Sequence, residues 1–423
     1  MKKLFGILKN EYVFSVFSKC YLILIGVVIS AFKVAFLGKE LNGRLFYITS
    51  MAQMLNNFFL MGYNQSYAYF RKKEGEGIRS DFLGSAVLLM LFYFAATGAF
   101  VLLFRPEREI MVIALTIPFF YFQKVLGATT MIDRPRLRNS VHMAADSCML
   151  LFLLGLMLWA SADFFWVIVI FLLVDLIRML MYLIFNHPQM RIGRESFRFL
   201  KRILSYGFLP MLGTFLLNLN YKADAYMLKR GPGYEHLSIY STGVIVADQS
   251  WMLSNAIAEI LLSRLVNGKG EREVSRIIRC SNTITIFIQL IFLLLGKWMI
   301  LLVYGPEYSD SYGILCLVML GSYGMNYTRM IMAYCVAEGR QIEKTIFLFA
   351  AAALNIIMNL ILIPIYGIVG AAMASVISYT VSGIMFLVFF RHRTKLPLKE
   401  LFFLNREDLK ALRAILRRKN EDG

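Results

Sequence analysis

The sequence predicts an all-α polytopic membrane protein with twelve transmembrane helices arranged in two six-helix lobes. Hydrophobic residues make up 58% of the 423 positions and charged residues only 17%, whereas soluble domains are roughly 45–50% apolar. Apolar stretches of about 20 residues, the length that crosses a bilayer as a helix, follow one another along almost the whole chain. The Lys and Arg residues between them fall in alternate loops. Together these observations exclude most classes of soluble enzyme.

The apolar stretches give the individual spans in order. We place them at residues 12–38, 44–69, 82–104, 109–132, 139–161, 164–186, 204–228, 237–263, 280–304, 309–335, 342–364 and 367–390. The prolines support these divisions, since only Pro118 and Pro210 of the nine fall inside a span. The other prolines lie at or between span ends, where a missing backbone N–H is tolerated.

The basic residues predict the orientation of the spans. Most of the 45 Lys and Arg residues lie in the N-terminus, in every second loop and in the C-terminal tail. Arg340 and Lys344 belong to one of these basic loops, the one before span eleven. The positive-inside rule places such loops in the cytoplasm, so both termini are predicted to be cytoplasmic. The net charge of +18 therefore reflects basic residues that set the membrane topology. Because these residues lie in short loops beside apolar spans, we expect no nucleic-acid partner.

The spans divide the chain into four predicted regions. These are an N-terminal six-helix lobe at 1–186, a cytoplasmic basic linker at 187–203, a C-terminal six-helix lobe at 204–390 and a cytoplasmic tail at 391–423. The tail has apolar residues at helical spacing opposite a basic face. Such a helix is typical of a segment that lies on an anionic inner leaflet. A solvated, frayed C-terminal helix is the alternative.

The sequence contains no pattern for catalysis or for a metal. The five cysteines lie singly in apolar segments, without a CxxC pair and away from the histidines, so neither disulfides nor a zinc site are expected. No phosphate-binding loop, HExxH motif or grouping of Ser, His and an acid is present. We therefore predict a protein that is not an enzyme and has no cofactor.

Charged residues inside the spans are the candidates for function, because an ionisable group at membrane depth is costly unless it is paired or faces water. Lys124 and Arg329 lie near mid-span without a partner at helical spacing, which predicts an anion or water beside each. Lys33 lies near the outer end of span one and could snorkel to the interface instead. The candidate substrate-binding cations are Lys33, Lys124, Arg178, Lys222 and Arg329.

The carboxylates in the spans have two possible roles. Asp175 and Arg178 are three residues apart on one helix, so they are expected to pair, and a structural role for them is a full alternative. Lys222 and Asp224 are two residues apart and are expected to face different sides. Asp224 and Asp248 are the candidate ion-coupling residues, with plain interhelical hydrogen bonding as the alternative.

Several long stretches of the chain, read together, are similar to a known family. They are residues 36–73, 206–228, 239–265, 303–321 and 354–380, the last containing an asparagine-rich span that leads into Ile-Pro-Ile-Tyr-Gly-Ile-Val-Gly-Ala-Ala. This collinear set resembles Wzx-type polysaccharide (O-antigen or repeat-unit) flippases of the multidrug/oligosaccharidyl-lipid/polysaccharide (MOP) exporter superfamily. The resemblance implies a V-shaped bundle like that of the MATE transporters of the same superfamily.

The resemblance also implies a function and a location. Members of the family move undecaprenyl-diphosphate-linked oligosaccharide repeat units from the inner to the outer leaflet by alternating access, for surface polysaccharide assembly. The implied location is the bacterial cell membrane. The implied partners are the lipid-linked oligosaccharide, membrane lipids, a coupling H⁺ or Na⁺ and polysaccharide assembly proteins. The five candidate cations would meet the diphosphate or acidic sugars, and Asp224 matches an Asp that is common in the family's seventh span.

Two other functions remain open from the sequence. A drug/cation antiporter of the same superfamily would also have twelve spans, although its cavity groups are usually acidic rather than cationic. A membrane polysaccharide polymerase or glycosyltransferase would need catalytic groups in a large outer loop, and the outer loops here are short. The lipid II flippase branch usually has two more spans. Restoration of surface glycan, as opposed to drug resistance, would separate the two transport functions.

Overall fold

The computed structural model describes residues 11–159, 163–187, 190–231, 233–266, 271–397, 399–402 and 408, and their regular structure is helical throughout. The helices are α1 (Glu11–Phe59), α2 (Tyr63–Glu74), α3 (Arg79–Phe104), α4 (Arg108–Asp133), α5 (Pro135–Leu158), α6 (Phe164–Asn186), α7 (Arg194–Arg230), α8 (Tyr234–Val266), α9 (Glu271–Tyr304), α10 (Ser311–Ala337), α11 (Gln341–Thr394) and α12 (Lys399–Phe402). The predicted all-α class is confirmed.

Helix α11 contains two predicted spans, and α1 contains the first predicted span and most of the second, which continues into α2. Each of these two helices is broken at one glycine. In α1 the break is Gly38, with φ 68° and ψ −175°. In α11 it is Gly367, with φ 57° and ψ −130°. Both conformations lie in the positive-φ region, which glycine adopts without the steric cost that a Cβ would bring. The chain therefore changes direction within one residue at both places, close to the predicted span ends.

The described helices are those of a multi-pass membrane protein. Eight of them are long and apolar enough to cross a membrane by length and composition, and α1 and α11 are among the eight. The helices of predicted spans eight and ten, α8 and α10, do not meet that criterion. Polar residues of α10 such as Ser322, Asn326 and Thr328 are buried inside the protein. The lower hydropathy of these two helices thus goes with polar side chains that face other helices.

The helices form two lobes, α1–α6 and α7–α11, which share α7 at their border. In the first lobe α4 packs on α6 and α3, and α1 packs on α5; in the second, α10 packs on α11 and α8. The first turns of α7 belong to the core of the first lobe, because Phe199 and Ile203 are buried there with Tyr67 and Phe82. Residues 194–203 of the predicted linker are thus helical and anchored.

The lobes contact each other at the predicted outer end through α1 and α8. Asn42 Nδ2 donates to Ser238 Oγ at 2.9 Å, in a buried hydrogen bond. The ring of Tyr47 lies edge-on to Tyr226 and Tyr234, with centroids 5.6 and 6.3 Å away. These contacts close the space between the lobes at this end.

The described start of the tail is built into the second lobe. Leu401 is fully buried, and its carbonyl accepts from Asn282 Nδ2 at 3.1 Å. The Arg279 guanidinium donates two hydrogen bonds to the Asp408 carboxylate, at 2.6 and 2.8 Å. The tail is therefore held on α9 through residues 401 and 408, while residues 398, 403–407 and 409–423 of the predicted amphipathic segment lie outside the described residues.

Candidate functional site

Arg329, at mid-span in α10, is held by side chains from two other helices. Its Nη1 donates to Asn255 Oδ1 on α8, and its Nη2 donates to the Tyr221 hydroxyl on α7 at 3.1 Å. The guanidinium also lies 5.6 Å from the centroid of the Tyr221 ring, within the range of a cation–π interaction. Helical spacing predicts no partner for Arg329 on its own helix, and in the structure its partners come from α7 and α8.

Asp248 and Lys222 lie beside this arginine. The Asp248 carboxylate, on α8, interacts electrostatically with both Lys222 and Arg329. Lys222 extends across to the first lobe, where its Nζ is 4.8 Å from the centroid of the Phe46 ring. Lys222 thus links the charged groups of the second lobe to the first lobe, whereas Arg329 is held within the second lobe. We refer to Lys222, Asp248 and Arg329 as the second-lobe cluster.

Asp224 lies behind that cluster, inside the second lobe, and interacts electrostatically with Lys222 and Asp248. Its carboxylate is 2% exposed and accepts hydrogen bonds from the Tyr240 hydroxyl, from the Ala225 backbone N–H at 2.7 Å and from Ser375 Oγ at 3.5 Å. The predicted opposite orientation of Lys222 and Asp224 is confirmed. Asp224 thus joins α7, α8 and the second half of α11.

A chain of buried polar side chains continues from Ser375 along α7 and α11. Ser378 Oγ donates to Asn220 Oδ1 at 3.1 Å and accepts from Asn355 Nδ2 at 3.1 Å. Asn359 Nδ2 in turn donates to Asn355 Oδ1 at 2.9 Å. The amide oxygen of Asn359 and the amide nitrogen of Asn220 are buried without a hydrogen-bond partner. Among the described residues, this row of polar side chains therefore includes two amide groups that could each form a further hydrogen bond, which is unusual for buried amides.

In the first lobe, Arg178 on α6 bridges two carboxylates. It forms ion pairs with Asp146 on α5 and with Asp175 on its own helix, at 3.4 Å. The pair predicted from the three-residue spacing is confirmed. Gln123 Nε2 on α4 also reaches the Asp175 carboxylate, at 3.4 Å. Three helices of the first lobe are therefore joined around Arg178.

Lys124 lies next to this bridge and is half-buried in the first lobe. It interacts electrostatically with Arg178, Asp175, Arg138 and Asp146, and its Nζ is 5.1 Å from the centroid of the Phe120 ring. We refer to Lys124, Arg138, Asp146, Asp175 and Arg178 as the first-lobe cluster. It contains one more cation than carboxylates.

Lys33 is apart from both clusters. Its Nζ lies 6.0 Å from the centroid of the Phe171 ring on α6. Among the described residues, no charged side chain interacts appreciably with the Lys33 ammonium. The structure therefore brings Lys124 together with Arg178, and Lys222 together with Arg329 and Asp248. Lys33 lies apart from both clusters, beside α6, and Asp224 is buried inside the second lobe.

Sequence reasoning missed three residues of these arrangements. Tyr221 and Asn255 bind Arg329, and Tyr240 binds Asp224. An Asn within an apolar span was the only available signal, because such amides tend to form interhelical hydrogen bonds. The two tyrosines resembled the many aromatic residues that pack or lie at the membrane interface.

The described residues hold no group of three His, Cys, Asp or Glu side chains that could bind a metal ion. The five cysteines are all unpaired. The ionisable groups above are therefore arranged as cations and carboxylates that pair across helices, an arrangement suited to binding an anion or exchanging ion-pair partners.

Comparison with known proteins identifies the fold. No protein-family model matches the sequence, and no curated protein matches it. Among solved structures, the lipid II flippase MurJ in an inward closed conformation matches with a TM-score of 0.70 and 14% identity, over 92% of this chain and 89% of that chain. An inward-facing multidrug resistance MATE-family transporter of the MOP superfamily matches with a TM-score of 0.65 and 13% identity, over 89% and 94%.

A third solved structure is a MOP-superfamily transporter from Pyrococcus furiosus, described as having a binding pocket of reverse polarity. It matches with a TM-score of 0.66 and 13% identity, over 89% of this chain and 95% of that chain. The matches cover nearly the full length of the chain and of its neighbours. The chain therefore has the fold of MOP-superfamily transporters.

Proposed function

We propose that this protein flips undecaprenyl-diphosphate-linked oligosaccharide repeat units from the inner to the outer leaflet by alternating access. The observation that carries the proposal is the division of the intramembrane cations between two facing lobes. The first-lobe cluster contains three cations and two carboxylates. The second-lobe cluster contains two cations and one carboxylate, and Asp224 behind it is a further carboxylate that interacts with Lys222. This arrangement suits a ligand with two linked anionic groups, and a lipid-linked diphosphate is such a ligand.

The chemistry of the two clusters fits phosphate. Arg329 already donates through two nitrogens, and guanidinium groups bind phosphate oxygens through the same fork geometry. Lys124 contributes a point charge in a setting of reduced dielectric, where a charge-assisted bond is stronger than in water. A drug cation would instead need a surplus of carboxylates in at least one lobe.

A substrate held by both lobes would also link its own binding to their movement. The lobes meet through α1 and α8 at the predicted outer end, and rocking about the shared helix α7 would exchange that contact for one at the opposite end. The cations lie on different lobes, so bound diphosphate would favour the conformations in which the lobes approach each other around it.

We also propose that Asp224 and Asp248 couple transport to an ion gradient, in different ways. The buried Asp224 carboxylate could take up H⁺ on one of its oxygens, or could bind Na⁺ together with the hydroxyl oxygens of Tyr240 and Ser375. Asp248 competes with the substrate for Lys222 and Arg329, because it is the carboxylate that balances them. Binding of diphosphate to these cations would release Asp248 and change the charge of the second lobe.

Export of surface glycan in a flippase-deficient strain tests the main proposal. We expect Lys124→Gln and Arg329→Gln to reduce glycan export sharply at equal membrane expression. The matched control is Lys201→Gln, because Lys201 is an exposed cation at the start of α7 and should export normally. Normal export by both site variants would contradict the proposal. Drug resistance conferred by the wild type without glycan export would favour the antiporter.

Reconstituted vesicles with a fluorescent lipid-linked oligosaccharide test the coupling. We expect Asp224→Asn to bind substrate but to lose stimulation of flipping by an imposed proton or sodium gradient. Asp310→Asn is the matched control, since Asp310 is an exposed carboxylate at the start of α10. If Asn at position 224 keeps full gradient stimulation, Asp224 serves only as an interhelical hydrogen-bond acceptor.

A further inference from the structure

Lysine ammonium groups lie on aromatic rings of the opposite lobe at the predicted outer end. Lys229, at the end of α7, places its Nζ 4.2 Å from the centroid of the Tyr47 ring on α1. The reciprocal contact is made by Lys39 of α1, whose Nζ is 5.9 Å from the centroid of the Tyr308 ring, between α9 and α10. Both distances are within the range of a cation–π interaction. Each lobe thus contributes one cation and one ring to these two contacts.

Neighbouring side chains hold both rings in place. The Tyr47 ring lies edge-on to that of Tyr234, and the Lys229 ammonium is also 5.7 Å from the centroid of the Tyr234 ring. This ammonium therefore lies against one ring from each lobe. Tyr308 is fully buried, and its hydroxyl is 3.1 Å from Ser238 Oγ on α8. The two lysines thus contact rings whose positions are set by the packing of the lobes against each other.

The strength of these contacts suits an interface that must open and close. Lys229 is exposed, so its ammonium keeps water on the side away from the ring, and a cation–π contact of this kind changes an equilibrium by a factor of about two to five. The ion pair of Arg44 with Glu109 at the same end, at 2.7 Å, joins α1 to α4 within the first lobe. Contacts of modest strength hold the lobes together and still let them separate, as alternating access requires.

We propose that Lys229 and Lys39, with the rings of Tyr47 and Tyr308, form a cation–π latch that holds the two lobes together at the predicted outer end. The positive charges of the lysines and the faces of the rings stabilise the closed contact, in addition to the buried hydrogen bond between α1 and α8. When the lobes separate at this end, both ammonium groups leave their rings and become fully hydrated. The latch rests on the alternating access proposed above, but not on the identity of the substrate.

Labelling of a cysteine between the lobes tests the latch without any substrate. Val34 of α1 is 5% exposed and belongs to the same buried core as Ala225 and Leu228 of the second lobe. Val34→Cys in a chain without the native cysteines therefore reports separation of the lobes. In the full chain purified in detergent, we expect Lys229→Met to raise the rate of maleimide labelling about two- to fivefold. Lys229→Met combined with Lys39→Met should raise it about 5- to 30-fold, because the two contacts use different rings and their effects multiply.

Matched variants separate a cation–π contact from a general effect of charge. Arg230→Met removes a positive charge from the next residue, which is also exposed, and should leave the labelling rate unchanged. Lys229→Arg keeps the cation and Tyr47→Phe keeps the ring, so both should also label at the rate of the parent chain. In a Tyr47→Leu background, Lys229→Met should have a smaller effect than in the parent, because the ring that the ammonium contacts most closely is already absent.

A second reporter, Ile25→Cys in the buried core of the first lobe, should label at one rate in all these variants. Equal labelling of Val34→Cys in Lys229→Met and Arg230→Met would overturn the proposal. So would an undiminished effect of Lys229→Met in the Tyr47→Leu background, since the ammonium would then act independently of the ring. A parallel rise at Ile25→Cys would also overturn it, because the first lobe itself would be loosened. Normal glycan export by the wild type with any of these results would contradict the latch and still support the proposed substrate.

Discussion

Substitution of Gly43 by Ala is predicted to open the contact between the lobes at the predicted outer end. Gly43 of α1 lies directly against the first turn of α8. A Cβ added there would be 2.0 Å from the Tyr234 carbonyl oxygen and 3.3 Å from the Ser238 backbone nitrogen. Both atoms belong to the backbone, so no side-chain rotation can relieve the overlap. The helices must instead separate by more than an ångström before the methyl group reaches normal contact distance.

The size of the effect follows from the two interactions that this separation changes. Overpacking of a tight helix contact costs about 1–3 kcal/mol, and loss of the buried hydrogen bond from Asn42 to Ser238 costs about 0.5–1.5 kcal/mol more. A total of about 2–4 kcal/mol corresponds to a factor of about 30–1,000 in the equilibrium between the closed and open contact. A conformation that is closed at this end in the wild type should therefore become a minor one.

Labelling of a buried cysteine measures the steric part of this shift, because the reporter Ser238→Cys itself removes the hydrogen bond from Asn42. Ser238 is fully buried at the contact, so Ser238→Cys in a background without the native cysteines should react slowly with a maleimide. We expect Gly43→Ala to increase that rate by at least tenfold. Gly26→Ala is the matched control on the same helix, because a Cβ at Gly26 would have no atom within 4 Å. Equal labelling rates in the Gly43 and Gly26 variants would refute the steric argument.

Three further predictions concern topology, the second lobe and the tail. Glu195→Cys, at an exposed position near the start of α7, should react with an impermeant maleimide only after the cells are permeabilised; reaction in intact cells would reverse the predicted orientation. Arg329→Lys should lower substrate affinity roughly 10-fold or more, because one ammonium cannot replace a guanidinium that binds two helices; wild-type affinity would show that charge alone is needed. Asp408→Ala leaves the buried Arg279 without its carboxylate, at a cost of about 3–5 kcal/mol, and should lower the Tm measured by thermal unfolding, whereas Glu400→Ala at an exposed position should not.

The sequence was sufficient to predict the helical class and most of the span boundaries. A chain in a bilayer must satisfy its backbone hydrogen bonds internally, so a long apolar stretch has no alternative to a helix. The breaks near residues 38 and 367 were also predictable, because the apolar pattern is interrupted there. A charge pair within one helix was predictable as well. Asp175 and Arg178 are three residues apart and therefore share a helix face, and they form an ion pair at 3.4 Å.

The sequence did not reveal which distant residues meet. Arg329 binds Asn255, which is 74 positions away, and Arg178 binds Asp146, which is 32 positions away. Helical periodicity reports only on neighbours three or four residues apart, so it carries no information about such pairs. The two clusters could therefore be proposed residue by residue, but their membership depended on how the helices pack.

The sequence also did not reveal that Lys344 and Asp224 are buried, with exposed fractions of 1% and 2%. A lysine beside a basic loop has the local sequence of a hydrated residue, and only the approach of α11 to Gly213 encloses it. An aspartate two positions from a lysine could face either lobe, and only the packing of α7 against α8 and α11 buries it beside Tyr240. The sequence determined that this chain crosses a membrane as helices, because that requirement is local. The tertiary structure decided which charges are neutralised, because an electrostatic environment is made by residues from several helices at once.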